Sequence, residues 1–522
     1  MNENEIELEL EQDIAELEDL SEQPSREQAR RVLIEDDRRI SVARARLEYL
    51  FDDGTFDEIG SEVVHRCDRF GLEKRRIPGD GVITACGEID GRPVFAFAQD
   101  RTVLGGSLGE EHAMKIVRLQ DLALRSGAPL VAINDSGGAR IQEGVASLGG
   151  YGEIFRRNVA ASGVIPQISL IAGPCAGGAV YSPALTDFVG MVEGSSFMFL
   201  TGPKVVKTVT FEDVTVEELG GAQTHSQKTG VSQFMWPDDR SALDDVRRLL
   251  SYLPSNNQHM PPYAKPEDSR DRMDASFHDL VPTDTRKPYD VRGVIERLVD
   301  MGSFFEVHAG WARNVVVGFA RMDGHVVGLV ANQPEVLAGV LDIDASRKAA
   351  RFIRTCNAFH IPIISLVDVP GFLPGTHQEH GAVIDHGAKL LYAYCEATVP
   401  KLSVILRKAY GGAYIVMSSK HVGGDINLAW PNAEIAVMGA AGAVEVLNRR
   451  EIAAAEDPLA KIDELKKDYE DAFLNPSIAA QRGFLDAVIE PHETRRKLCR
   501  FLRYVLEKRE RLPPKRHGNM PT

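Results

Sequence analysis

The sequence predicts an α/β protein made of two tandem, homologous domains, each a layered stack of repeated βα units whose buried strands end in glycine-rich turns. Two observations carry that expectation. One motif pair occurs twice. Residues 131–133 run into Asn134-Asp135-Ser136-Gly137-Gly138-Ala139-Arg140, and residues 168–172 into Gly173-Pro174-Cys175-Ala176-Gly177-Gly178-Ala179. Residues 363–367 then run into Asp368-Val369-Pro370-Gly371-Phe372, and residues 402–406 lead to Ala409-Tyr410-Gly411-Gly412-Ala413. The spacing is kept as well: Asp135 and Asp368 lie 233 positions apart, Gly177 and Gly411 234.

Taken in order, residues 1–22 hold ten acidic side chains and no basic one. Residues 1–24 are therefore expected to form a flexible acidic leader, or else an acidic helix with Leu10, Ile14 and Leu17 on one face that docks on a partner. Residues 25–53, charged and rich in arginine and alanine, read as a leading helix that stops at Asp52-Asp53-Gly54. Over 79–100, β-branched residues alternate with turn residues, as in Gly81-Val82-Ile83-Thr84, which predicts short strands and hairpins. Ala113, Ile116, Leu119 and Leu122 recur at helical spacing within 110–126. Strand and helix then alternate to about residue 250. The polar, proline-bearing stretch from Leu253 to Pro288 breaks that pattern. The expected division is 25–260 for the first domain, 261–288 for a linker and 289–522 for the second domain. There Gly302-Ser303-Phe304-Phe305-Glu306-Val307 parallels Gly54-Thr55-Phe56-Asp57-Glu58-Ile59, residues 315–331 parallel the strands before 100, and helix 344–358 with strand 361–367 answers 110–133.

Several function classes drop out. A chain of 522 residues at 43% hydrophobic can bury two cores. No apolar run reaches the ~18 residues of a membrane helix, and the N-terminus is acidic, so the expected location is the cytoplasm, or the mitochondrial matrix after processing. The formal charge of −16 argues against nucleic acid, although a local basic rim for an anionic ligand is compatible with it. Cys67, Cys86, Cys175, Cys356, Cys395 and Cys499 show no CxxC spacing, which predicts free thiols. No GxGxxG opens a helix and no GxxxxGK[ST] occurs.

A Gly-Gly step where a strand enters a helix lets backbone approach a ligand closely, and the helix start aims free N–H groups at it. A second N–H from the preceding loop, Ser136-Gly137-Gly138 in one half or Pro370-Gly371-Phe372 in the other, would complete an oxyanion hole, worth roughly 3 kcal/mol per donor. Two such holes suggest two carbonyl-bearing reactants.

The motifs GPCAGGAVYSPA from Gly173, LTGPKVVK from Leu200, DVPGFLPGT from Asp368, RKAYGGAY from Arg407 and AWPNAEIAVMG from Ala429 resemble the carboxyltransferase β-subunits of biotin-dependent acyl-CoA carboxylases. The resemblance runs from about Ala45 to the C-terminus and is greatest to propionyl-CoA carboxylase β-chains. It implies tandem crotonase (ClpP-like) domains with a ββα superhelix, a homohexamer, and an active site where one subunit's acyl-CoA domain meets its neighbour's biotin domain. On that resemblance Gly177, Gly178 and Ala179 hold the acyl thioester oxygen, and Gly411, Gly412 and Ala413 the biotin ureido oxygen. Carboxybiotin gives up CO2, the biotin anion takes the α-proton, and the enolate attacks CO2. Biotin arrives on a separate biotin carboxylase/carrier subunit, because Lys115 in Ala113-Met114-Lys115-Ile116, although it imitates a biotinylation sequence, falls in an amphipathic helix. Contacts to coenzyme A and biotin are expected from Gly137, Gly138, Arg140, Lys115, Lys204, Lys207, Gly371 and Phe372.

No metal is expected. His377, His380 and His386 cluster in sequence, but no carboxylate or cysteine joins them at a ligand spacing. Family members usually carry tyrosine at the place of His380 and arginine at that of Asp385. Ile415, two positions past the second turn, stands where many propionyl-CoA carboxylases have aspartate, so it is expected to shape acyl specificity. Two alternatives stay open: the carboxyltransferase subunit of a methylmalonyl-CoA decarboxylase, and a non-catalytic CoA-binding assembly subunit.

Overall fold

The computed structural model describes residues 41–521, and the chain divides into two units, Met1–His259 and Met260–Thr522. The leader and most of the predicted leading helix lie outside the described residues. What is described of that helix is Val42–Leu50, capped by the Ser41 hydroxyl, which accepts the Arg44 N–H at 3.3 Å.

The first unit contains β1 (Asp57–Ile59), β2 (Val82–Ile89), β3 (Arg92–Gln99), β4 (Leu130–Ser136), β5 (Gln167–Ala176), β6 (Phe188–Val192), β7 (Phe197–Phe199) and β8 (Phe234–Trp236). They form one sheet in the order β1-β2-β3-β4-β5-β6-β8, with β7 paired to the end of β5. The second unit contains β9 (Phe305–Val307), β10 (Val315–Met322), β11 (His325–Asn332), β12 (Ile363–Val369), β13 (Lys401–Tyr410), β14 (Ile426–Ala429), β15 (Glu434–Ala436) and β16 (Ala487–Val488). Its order, β9-β10-β11-β12-β13-β14-β16 with β15 on β13, repeats the first strand for strand.

Local chemistry explains the repeat. β2 and β3 are joined through Asp90-Gly91 with φ of 52° and 70°, and β10 and β11 through Asp323-Gly324 with φ of 52° and 80°. An Asp-Gly pair tolerates two consecutive positive φ values, the geometry a two-residue hairpin needs. Beyond β3 and β11 the pairing turns parallel. β4, β5, β12 and β13 are covered on both faces, which is why they read as unbroken apolar runs. The helices Glu110–Ser126 and Ile343–Ala358 start 233 residues apart, the second under an Asp342 cap. The copies diverge after β15, where four further helices, Ala440–Leu447, Arg449–Ala454, Pro458–Phe473 and Pro476–Gln481, precede β16.

The predicted linker is part of the second unit's fabric. The Arg407 guanidinium donates to the Pro282, Asp284 and Lys287 carbonyls at 2.9–3.3 Å, and Lys408 Nζ donates to the Thr285 carbonyl. Residues 282–287 are thereby fixed to β13.

Two buried lysines also occupy equivalent places. Lys115 Nζ donates to the Gly79 and Val82 carbonyls, and Lys348 Nζ to those of His308, Trp311 and Ala312. Burial lowers the Lys115 ammonium to about 8 and that of Lys348 to about 7. An unfolded lysine stays protonated to about 10.4. From about 7 upward the unfolded chain therefore binds more protons at these positions, and their contribution to stability rises with pH until the ordinary lysine value. The melting temperature of the parent minus that of Lys348→Met is expected to increase between pH 7 and pH 9.5. A constant or falling difference would show that Lys348 does not titrate there.

Candidate active site

Each unit places one glycine turn where the long central strand enters a helix. β5 runs into the 3-10 turn Gly177–Val180, and β13 into the helix Gly411–Val416. Gly177 and Gly411 sit at φ of 60° and 57°, a left-handed backbone that a side chain disfavours. Gly178 and Ala179, like Gly412 and Ala413, then lie in the first turn of a helix, where N–H groups have no intrahelical acceptor.

The loops after β4 and β12 come alongside, because these strands pair in parallel with β5 and β13. Both pairings slip register at the aspartates, between Asn134 and Ser136 and between Val367 and Val369. Here the structure corrects the predicted donors. Gly137 N–H already donates to the Gly105 carbonyl at 3.1 Å, and Gly138 N–H to the Ser136 hydroxyl at 3.1 Å. Leu108 N–H donates to the Gly138 carbonyl and Arg140 N–H to the Leu108 carbonyl, so Ala139 between them turns its own N–H to the opposite side. In the second unit Leu341 N–H donates to the Gly371 carbonyl and Leu373 N–H to the Leu341 carbonyl, which leaves Phe372 in the same position. The loop donors are thus Ala139 and Phe372, and Gly137 and Gly138 are loop formers. Ala139 was missed by motif reading, yet it lies 233 positions before Phe372, so the repeat itself points to it.

The two turns differ in what surrounds them. A Cβ on Gly178 would meet the Tyr151 ring at 3.3 Å, whereas a Cβ on Gly412 would meet nothing within 4 Å, and the same holds at Gly371. The Phe372 ring lies against Gly387, where an added Cβ would approach it to 3.0 Å. Tyr410, the last residue of β13, donates its hydroxyl to Glu434 on β15, a tie absent from the first unit, where Ala176 and β7 stand.

Beneath each loop lies a buried carboxylate. Tyr289 donates its hydroxyl to Asp368 Oδ2 at 3.0 Å, Arg407 Nε to the same oxygen at 2.8 Å, and Lys408 N–H to Oδ1 at 3.1 Å. Asp135 takes its arginine from elsewhere: Arg46 on helix Val42–Leu50 reaches Asp135 at 3.3 Å and Asp239 at 2.7 Å. Burial raises the Asp135 carboxyl above its ordinary range, opposed by Arg46.

Two predicted coenzyme A contacts belong to the interior instead. Arg140 is fully enclosed, donating to Asp80 at 2.6 Å, Glu143 at 2.8 Å and the Ser107 carbonyl at 2.9 Å. Lys115 is committed to its two carbonyls. A charge with a complete set of buried partners cannot turn outward to a phosphate without leaving them unpaired. Lys204 and Lys207 stand on helix Pro203–Thr210, just past β7, which pairs with the end of β5 and brings the helix start beside the first turn. Lys207 is exposed and lies 3.3 Å from Asp213. Ile415 is half-buried in the second turn's helix, and its carbonyl accepts the Ser419 hydroxyl at 2.9 Å. His377 and His380 are exposed on helix Thr376–His380, while burial and Lys389 lower the pKa of His386. Among the described residues no helix is long and apolar enough to cross a membrane.

Comparison with known proteins agrees with this geometry. The family model for the carboxyl transferase domain matches residues 35–520. The carboxyltransferase subunit of propionyl-CoA carboxylase from Haloferax mediterranei is 59% identical over 491 residues, covering 94% of this chain and 95% of that protein. Methylmalonyl-CoA decarboxylase subunit alpha from Propionigenium modestum is 54% identical over 480 residues, 92% of this chain and 93% of that one. Among solved structures, the hexameric transcarboxylase 12S core with hydrolysed methylmalonyl-coenzyme A bound matches with a TM-score of 0.89 at 52% identity, over 92% of each chain.

Proposed function

From a chain that belongs to the carboxyl transferase domain family, we propose the carboxyltransferase subunit of a propionyl-CoA carboxylase-type, biotin-dependent enzyme, which carboxylates the α-carbon of a short acyl-CoA such as propionyl-CoA or acetyl-CoA. The fold is the duplicated crotonase-like one, as the agreement with the transcarboxylase core supports. The observation that carries the reading is the pair of donor turns, one per unit, built alike to the φ of the turn glycine.

In the first unit the N–H groups of Gly178, Ala179 and Ala139 hold the thioester oxygen as negative charge gathers on it, with Gly177 setting the turn. Such donors stabilise a developing enolate more than the ground-state carbonyl, which is what lowers a barrier. In the second unit Gly412, Ala413 and Phe372 face the ureido oxygen of biotin, with Gly411 and Gly371 shaping the backbone. The open space at Gly412 and Gly371 fits an incoming ring, since no protein atom occupies the direction a side chain would take. Carboxybiotin, on a separate carrier subunit, supplies the carboxyl group. Lys204 and Lys207 meet the phosphates of coenzyme A, and Ile415 gives the acyl pocket an apolar wall. The assembly is a homohexamer, by likeness to the transcarboxylase core, whose structure is described as a hexamer.

The identity to a methylmalonyl-CoA decarboxylase subunit supports one second reading, the same transfer run in reverse within a decarboxylase. The chain, reconstituted with a biotin carboxylase/carrier subunit, is expected to fix bicarbonate into propionyl- or acetyl-CoA in an ATP-dependent way. Silence with a partner shown active on another carboxyltransferase, together with transfer from methylmalonyl-CoA to free biotin, would favour the reverse direction.

A further inference from the structure

We propose that His278, Glu490 and His492 form a site for a divalent transition-metal cation of the zinc class on the second unit. One ligand atom from each residue lies within 4.8 Å of the other two, the one such trio of histidine, cysteine or carboxylate side chains among the described residues. The residues come from distant parts of the sequence and are brought together by anchored backbone. His278 belongs to the single helical turn Phe277–Leu280, whose Phe277 is buried edge-on to Trp430 at 6.1 Å. Glu490 and His492 flank Pro491, and the next residue but one, Thr494, accepts the Trp430 indole N–H at 3.0 Å and donates to the Pro491 carbonyl at 2.6 Å. Asp274 N–H donates to the His492 carbonyl at 3.3 Å, joining the two segments directly. Trp430 thus braces both ligand-bearing segments, while the His278 and Glu490 side chains stay exposed and able to rotate.

Two imidazole nitrogens and one carboxylate oxygen suit zinc or its neighbours in the first transition row, and they are a poor set for calcium or magnesium, which take oxygen donors. Zinc bonds of about 2.0–2.2 Å in a tetrahedron place donors about 3.4 Å apart, a short closure from the present spread. Three protein ligands leave a fourth position for water. The cation would fasten the segment preceding β9 to the one that enters the terminal helix Thr494–Val505, and binding the folded chain alone would raise its melting temperature with metal concentration.

The test uses the full-length chain, stripped with a chelator and titrated with zinc chloride by calorimetry and with cobalt chloride by visible absorption. One equivalent is expected to bind with a rise in melting temperature, and cobalt to show the intense bands of a four-coordinate site. His278→Ala, Glu490→Gln and His492→Ala should each weaken binding by about 10- to 100-fold or more, the range seen when even an outer partner of a metal ligand is removed. The double variant His377→Ala/His380→Ala should bind as the parent does. Equal zinc uptake by the parent and the His278→Ala/His492→Ala double variant, or loss of uptake in the His377→Ala/His380→Ala variant, overturns the proposal.

Discussion

Gly412→Val is expected to lower carboxyl transfer by about 10²-fold or more while leaving the melting temperature within about 2 °C of the parent, the first because removing a single oxyanion donor already costs 10²–10³. Gly412 has an ordinary negative φ, and the added side chain enters space that no protein atom occupies within 4 Å. Valine is a modestly poorer helix former than alanine, a cost of a few tenths of a kcal/mol at one position. Whatever activity is lost must therefore come from the ligand side of the turn. Steady-state rates with the carrier subunit, paired with a thermal scan, check both halves. Retained activity would remove the second turn from the reaction. Gly178→Val is a less clean companion, because the Tyr151 ring beneath must move and stability changes as well.

Arg407→Ala is expected to destabilise the second unit by about 3–5 kcal/mol, the usual cost of removing one member of a buried ion pair. For a unit of this size that is a fall of roughly 10 °C in melting temperature. The loss is large because one guanidinium serves Asp368 and three carbonyls of residues 282–287 while lying over the Tyr289 ring at 4.7 Å. Arg407→Lys should recover little, since an ammonium cannot reproduce the planar fork. A scan within about 2 °C of the parent for Arg407→Ala would show that the network relaxes around the gap.

Much of this was legible in the sequence because a duplication carries its own control. The parallel strands are unbroken apolar runs, the hairpins carry Asp-Gly, and helix Glu110–Ser126 keeps its period, so each element appears in both halves at one offset. The site was harder to read. Ala139 is a donor because residues 105–108 engage its neighbours, and that pairing spans some thirty positions with no mark in the motif. Arg140 and Lys115 looked like surface charges because burial of a cation depends on partners far away in sequence, Asp80 for one and the Gly79 and Val82 carbonyls for the other. The stretch from 261 to 288 looked like a spacer since its prolines break periodicity, but its carbonyls find Arg407 and Lys408.

The two carboxylates beneath the loops also bear on how the halves could have drifted apart. Position 173 of the first half corresponds to 407 of the second, and an added Cβ at Gly173 would overlap the Asp135 carboxylate. An arginine there is tolerated in one half only, where the partner strand's aspartate receives no cation from a preceding helix. Neither arrangement can reach the other by one acceptable substitution: gaining the strand arginine first collides with Arg46 at its seat, and losing Arg46 first strands Asp135 and Asp239. The halves are separated by an epistatic barrier, so exchanging segments between them, or with relatives, succeeds only when position 46 and position 173 travel together.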